Sequence, residues 1–300
     1  MSQIFWLASY PKSGNTWFRA MVAAFRKEGA VDINDLGQDR GIASARAWFD
    51  RVMLFPSGLL THEECERVRP QVYMADDELD REHGGAEGQA AENGFVKTHD
   101  AYTFTVDGQP MLGGRDAARG AILIVRDPRD ICASLANHSS ISIDEAISFM
   151  DNSDSALCAE RDRQPTQLRQ RLFSWSGFMA SWLDQTDLPV HLIRYEDLQA
   201  NAAAELRAGL AFAGVEASEE EAGLAARSCG FEELRRQELQ RGFREAPLRA
   251  RAGFFRSGVS GGWKAELTMQ QAARIERDHL FMMQRIGYLD AKRSERGAGS

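Results

Sequence analysis

Apolar residues along this chain fall into strand-length blocks separated by helical patterns. Ile4-Phe5-Trp6-Leu7-Ala8 and Ala121-Ile122-Leu123-Ile124-Val125 are unbroken apolar runs, and Val190-His191-Leu192-Ile193-Arg194-Tyr195, just after Pro189, is a third candidate. A continuous run, as opposed to an alternating one, predicts a strand buried on both faces, as in a parallel sheet. Each run leads through a short polar turn into a helical pattern. The stretch 168–183 is amphipathic, with Leu172, Trp175, Phe178 and Met179 on one face, and another helix is predicted over 202–213. Repeated strand–turn–helix units predict an α/β fold: a single domain with a central parallel sheet flanked by helices, binding its ligands at the carboxyl ends of the strands. That domain is expected to span 1–292. The acidic, Gly/Ala-rich stretch 75–94 and the polar stretch 141–167 read as mobile loops, and 293–300 as a frayed tail.

Composition narrows the function classes. Three hundred residues with 43% hydrophobic content suffice for one large core. A net charge of −8 argues against a nucleic-acid partner, which calls for a broad basic face. The sequence shows no leader with a basic start and no apolar stretch of about twenty residues, so no membrane partner is expected. Cys65, Cys132, Cys158 and Cys229 are scattered, without metal spacing or a C-x-x-C pair. They read as free thiols of a reducing compartment, which predicts a cytoplasmic protein and no metal site.

The chemistry lies in the turns. Tyr10-Pro11-Lys12-Ser13-Gly14-Asn15-Thr16-Trp17 follows the first strand and opens a helix. Unpaired N–H groups and the helix dipole favour an anion there; Lys12 adds a charge, and Ser13 and Thr16 add hydroxyl donors. Arg126-Asp127-Pro128-Arg129-Asp130 follows the second strand, with Asp127 placed to cap a helix and Pro128 to begin it. Arginine's planar fork suits a phosphate. A third loop, Gly253-Phe254-Phe255-Arg256-Ser257-Gly258-Val259-Ser260-Gly261-Gly262-Trp263-Lys264, carries an arginine on a glycine-rich segment that can fold over an anion. Such an acidic chain must gather its cations locally to bind a polyanion, and Lys12, Arg126, Arg129 and Arg256 are the candidates.

These three motifs, near the start, middle and end of the chain, resemble those of the cytosolic-type sulfotransferases, a P-loop-like fold that uses 3′-phosphoadenosine 5′-phosphosulfate (PAPS). The first loop is similar to the family's Y-P-K-S-G-T-T-W, departing only at Asn15. The second resembles R-D-P-R-D-x-x-x-S, which carries over onto Arg126 and Ser134. The third is similar to R-K-G-x-x-G-D-W-K, with Ser257 in place of the lysine and Gly262 in place of the aspartate. The resemblance implies that Lys12, Ser13, Gly14, Asn15, Thr16 and Trp17 hold the 5′-phosphosulfate, and that Arg126, Ser134, Arg256, Ser257 and Gly258 hold the 3′-phosphate. Tyr195, in Arg-Tyr-Glu-Asp-Leu, and Phe231 would flank the adenine. Lys97-Thr98-His99 resembles the family's K-[TS]-H, which implies His99 as general base and Lys97 and Lys12 as catalytic cations.

The implied acceptor is a small-molecule or natural-product hydroxyl, as for bacterial members of the family that sulfate small molecules, including glycopeptide antibiotics. His138 is a further candidate for the acceptor pocket. Trp48, Phe49, Tyr102 and Phe104 either line that pocket or fill the core. Two other readings stay open: a kinase-like enzyme using ATP, and a non-catalytic nucleotide binder. The family's dimer signature K-x-x-x-T-V-x-x-x-E survives only as Lys264 and Thr268, so the oligomeric state is not fixed by sequence.

Overall fold

Strand β1 (Ile4–Ser9) is buried along its whole length and leads through the first motif into helix α1 (Asn15–Arg26). In the computed structural model, which describes residues 4–36, 41–82, 94–160, 165–246 and 253–290, there follow α2 (Arg46–Met53), α3 (His62–Glu82) and β2 (Gly94–Thr98). A short α4 (Gly114–Ala117) precedes β3 (Gly120–Val125), and the second motif opens α5 (Pro128–Ser139). Next come α6 (Ile143–Asp151), the two-residue strands β4 (Ala156–Leu157) and β5 (Gln170–Arg171), α7 (Trp175–Leu183) and β6 (Val190–Arg194). The remainder is helical: α8 (Tyr195–Ala200), α9 (Ala202–Phe212), α10 (Glu219–Ser228), α11 (Phe231–Arg241), α12 (Trp263–Glu266), α13 (Met269–Asp278) and α14 (Leu280–Ile286).

The main sheet runs β2-β1-β3-β6 with every pair parallel, while β4 and β5 form a separate antiparallel ribbon. Alternate residues of each strand feed opposite cores, as the twofold period of a strand requires. Ile4, Trp6, Ala8, Leu123 and Val125 pack with Trp175, Phe178 and Trp182 of α7 on one face. Phe5, Leu7, Ile122 and Ile124 pack with Phe18 and Met21 of α1 and Leu206 and Leu210 of α9 on the other. Apolar residues at consecutive positions are thus explained by helices on both faces. The chain leaves β1 toward β2 and returns on the other side at β3, so the carboxyl ends of β1 and β3 flank a topological switch point, where open α/β sheets bind ligands.

Three sequence expectations need correction. Residues 75–82 are not loop but the last turns of α3; residues 83–93 lie outside the described residues. The stretch 141–167 contains α6, whose Ala146, Ile147 and Met150 are buried in the first core, so this part is framework. Its start is fixed by a capping box in which the Ser142 hydroxyl accepts from Glu145 N–H and Glu145 accepts from Ser142 N–H. The helix expected over 168–183 starts only at Trp175, behind an N-cap at Ser174, because Gln170 and Arg171 are drawn into the β4–β5 ribbon. The expected tail at 293–300 lies outside the described residues.

Candidate active site

The carboxyl ends of β1, β2 and β3 open into a cavity of 710 Å³. Lys12, Gly14, Asn15, Thr16, Trp17, Lys97, His99, Arg126, Ser134, Tyr195, Phe231, Arg256, Ser257 and Gly258 all line it. Of the residues expected to contact the cofactor, Ser13 and Arg129 are missing from the lining; the Ser13 side chain is fully buried.

The first loop is held in a shape suited to anions. Lys12 has φ 73° and Gly14 has φ 103°, left-handed conformations that a non-glycine residue such as Lys12 adopts only under constraint. At Gly14 a Cβ would lie 2.5 Å from Cδ2 of Tyr195, so the close approach of that ring also requires glycine. The Asn15 amide turns back to the strand, donating to the carbonyl of Leu7 at 2.8 Å and to Oγ of Ser9 at 3.1 Å. Asn15 therefore locks the loop with its side chain and offers an anion only its backbone N–H. The Trp17 indole donates to the Cys229 carbonyl at 2.9 Å and meets the Tyr195 ring edge-on at 5.7 Å.

Arg126 ties two loops together. Its guanidinium donates to the carbonyls of Lys12 at 3.3 Å and Val259 at 3.1 Å, and stacks 4.2 Å over Tyr195. Asp127 caps α5 as the sequence implied, accepting from Arg129 N–H at 2.9 Å. Arg129 itself is turned away from the cavity. It is paired with Asp127 at 2.6 Å and Glu276 at 2.7 Å and lies over Trp263, which removes it from the candidate anion ligands. Asp130 instead secures the third loop, accepting from Gly261 N–H at 2.7 Å and Trp263 N–H at 2.8 Å. Arg256 on that loop is paired with Glu266 at 2.8 Å. Gly258 has φ 62° and packs its α-carbon against Phe231, leaving no room for a side chain.

His99 follows β2 directly. The parallel register that sets Ala8 opposite Thr98 places Ser9 beside His99, and His99 Nδ1 donates to the Ser9 carbonyl at 2.7 Å. A carbonyl only accepts, so Nδ1 carries the proton and Nε2 is left with a lone pair. Burial, with the neighbouring Lys97 charge, pushes His99 down to about 3, so the imidazole is neutral at ordinary pH. The next residue, Asp100, forms a fully buried pair with Arg69 of α3, 2.6 Å away, that clamps the segment just after His99 to that helix.

The cations crowd one another. Burial, then Lys97 and Arg126, pull Lys12 down to about 7; its Nζ lies 3.4 Å from His138 Nδ1 and 4.0 Å over Phe254. Burial also lowers Lys97, opposed by Glu245, whose carboxylate lies 2.9 Å from its Nζ. Glu245 also pairs with Arg19 at 2.8 Å, and the two positive neighbours hold it down to about 2 against the effect of burial. Sequence reasoning missed Arg19 and Glu245. No local signal marks their pairing, since 226 residues separate them.

The apolar part of the lining includes Ile42, Ala45, Leu135, Leu157, Leu234, Phe254 and Phe255, joined by His138. Trp48, Phe49 and Tyr102 are buried in the first core, and Phe104 is exposed, so none of these four lines the cavity.

A "Sulfotransferase 1A1" of Canis lupus familiaris is 27% identical over 118 residues, covering 38% of this chain but only 40% of the dog protein. "Cytosolic sulfotransferase 16" of Arabidopsis thaliana is 24% identical over 283 residues, covering 91% of this chain and 73% of the plant protein. Among solved structures, mouse sulfotransferase SULT7A1 complexed with PAP matches with a TM-score of 0.58 at 17% identity, covering 96% of this chain and 88% of that one. Retinol dehydratase in complex with androsterone and inactive cofactor PAP matches with a TM-score of 0.54 at 18% identity, covering 94% and 81%. Both structures share the α/β sulfotransferase fold. The sulfotransferase domain model matches residues 115–287, more than half of the chain, and thus begins beyond the first loop and the Lys97-Thr98-His99 segment. The chain belongs to the sulfotransferase family.

Proposed function

We propose that the protein transfers a sulfuryl group from PAPS to a hydroxyl of a small-molecule acceptor, with His99 as general base. The observation that carries this reading is the neutral imidazole of His99, its Nδ1–H fixed on the Ser9 carbonyl, in the same cavity as Lys12 and Lys97. A base with a free Nε2 beside two cations suits an acceptor that must lose a proton as charge builds on a leaving phosphate.

The residues fit the nucleotide. Ser13 Oγ and Arg126 Nε are buried without a hydrogen-bond partner among the described residues, and Lys12 is depressed by burial and then by like charges, which a polyanion would neutralise. When bound, the nucleotide supplies an activated sulfuryl group on its 5′-phosphate. Gly14, Asn15 and Thr16 offer backbone N–H groups to that end, and Lys12 and Lys97 offset its charge. Arg126, Ser134, Arg256, Ser257 and Gly258 hold the 3′-phosphate, for which Arg256 exchanges Glu266. Tyr195 and Phe231 flank the adenine. His99 takes the acceptor proton at Nε2, and the apolar lining from Ile42, Ala45, Leu135, Leu157 and Phe254 seats the acceptor and keeps water out.

Four unpaired cysteines, three of them buried, support action in the reducing cytoplasm. Among the described residues no helix is long and apolar enough to cross a membrane.

The test is release of adenosine 3′,5′-bisphosphate (PAP) from PAPS across a panel of phenols and alcohols, with His99→Ala as control. Loss of the base is expected to lower kcat about 10²–10⁴-fold, with PAP affinity changed less than about threefold. Equal turnover by His99→Ala would remove His99 from the mechanism.

A further inference from the structure

Glu245 is out of place in a cavity built for anions. It lies in the segment after α11, yet its carboxylate reaches Lys97 Nζ at 2.9 Å and Arg19 at 2.8 Å. Arg19 stands three residues after Thr16 on α1, its side chain 5% exposed, so the carboxylate is anchored to the helix that carries the first loop. All three residues line the cavity together with His99. A bare carboxylate there would repel a phosphosulfate; flanked by two cations it leaves the group positive overall.

The surroundings of Lys97 explain what this arrangement is for. Facing it are Arg19 from α1, Lys12 from the first loop, His99 after β2 and His138 from α5, with Glu245 from the segment after α11. Both imidazoles are depressed by burial and are neutral, so among these neighbours Glu245 is the one negative group. Its removal would leave a desolvated ammonium among like charges, the condition in which a lysine gives up its proton. Resting on the sulfuryl-transfer reading above, we infer that Glu245, anchored by Arg19, is a positioning residue that holds the Lys97 ammonium charged and in place beside His99. Lys97 then meets the transferring group as a cation whatever the state of Lys12. The same carboxylate opposes the effect of Lys97 and Arg19 on His99, and so limits how far those charges weaken it as a base.

The experiment compares wild type with Glu245→Gln and Glu245→Asp. Lys97 is titrated by ¹³C NMR of lysine-labelled protein, assigned with Lys97→Met, and PAP release from PAPS with 2-naphthol as probe acceptor is followed against pH. In Glu245→Gln the Lys97 midpoint is expected to fall by about one pH unit or more. The alkaline limb of kcat should move with it, and kcat should drop about tenfold while KM for PAPS changes less than about threefold. Glu245→Asp, which keeps the charge, should recover most of the midpoint and also serves if the amide variant does not fold. An unmoved Lys97 midpoint, or a lowered midpoint with an unmoved kcat limb, overturns the proposal. Wild type that releases no PAP with 2-naphthol or with any acceptor of the panel above would instead overturn the transfer reading itself, and the titration would still report whether Glu245 holds Lys97.

Discussion

At the scale of single residues, the site is a balance between burial and charge. Lys12 sits in a left-handed conformation among other cations, and its depression to about 7 would make the proposed nucleotide binding pH-dependent. The sign follows from the charged form: below pH 7 Lys12 carries the charge that a phosphate needs, and above it the ligand-free protein has lost that charge. PAP affinity is therefore expected to fall by up to about tenfold between pH 6 and pH 8. Calorimetry near pH 7.5 in buffers of different ionisation enthalpy should record proton uptake on binding; proton release, or an affinity that rises with pH, would contradict this. Lys12, His99 and Arg126 were legible in the sequence because each sits at the end of an apolar run, where a strand meets a loop. Arg129 was misread because its fixed position in the motif says nothing of direction, and Asp127 and Glu276 compete for it more closely than the cavity does. Glu245 was invisible, since only the folded chain brings it 148 residues back to Lys97.

At the scale of elements, part of the framework is held by residues outside the cavity lining. The Arg69–Asp100 pair joins α3 to the end of β2 with no exposed surface on either side chain. Arg69→Met is expected to destabilise the protein by about 3–5 kcal/mol, since it leaves Asp100 buried and unpaired, and Arg69→Met/Asp100→Leu should recover most of that loss. Denaturant unfolding checks both; a single variant as stable as wild type would remove the clamp. Apolar runs revealed β1 and β3 cleanly, because strands covered on both faces have no polar side. Polar stretches were less readable. The start of α6 was marked by Ser142-x-x-Glu145, and that of α3 by Thr61-x-x-Glu64, whose side chains cap each other in the same way. Those caps outweigh polarity as evidence for a helix. The false start at 168 arose because an apolar period continues through Leu168 and Leu172, which belong to the same core but reach it from the β4–β5 ribbon and its flank.

At the scale of the whole molecule, sheet order gives the motifs their meaning. Loops after β1, β2 and β3 meet only because those strands are neighbours in the order β2-β1-β3-β6, and the glycine-rich loop closes over them from near the far end of the chain. The sequence pointed to a parallel sheet but not to that order, which depends on crossovers that leave little trace in local pattern. A protein of net charge −8 thus gathers Lys12, Arg19, Lys97, Arg126 and Arg256 around a single cavity. The most direct test is calorimetric titration with PAP against adenosine 5′-monophosphate, both without metal. On the proposed placement of Arg126, Ser134 and Arg256 at the 3′-phosphate, PAP is expected to bind at least about 100-fold more tightly, as two or more charge-assisted hydrogen bonds would give. Equal affinity for the two nucleotides, or binding of neither, would contradict the assignment of this cavity to PAPS.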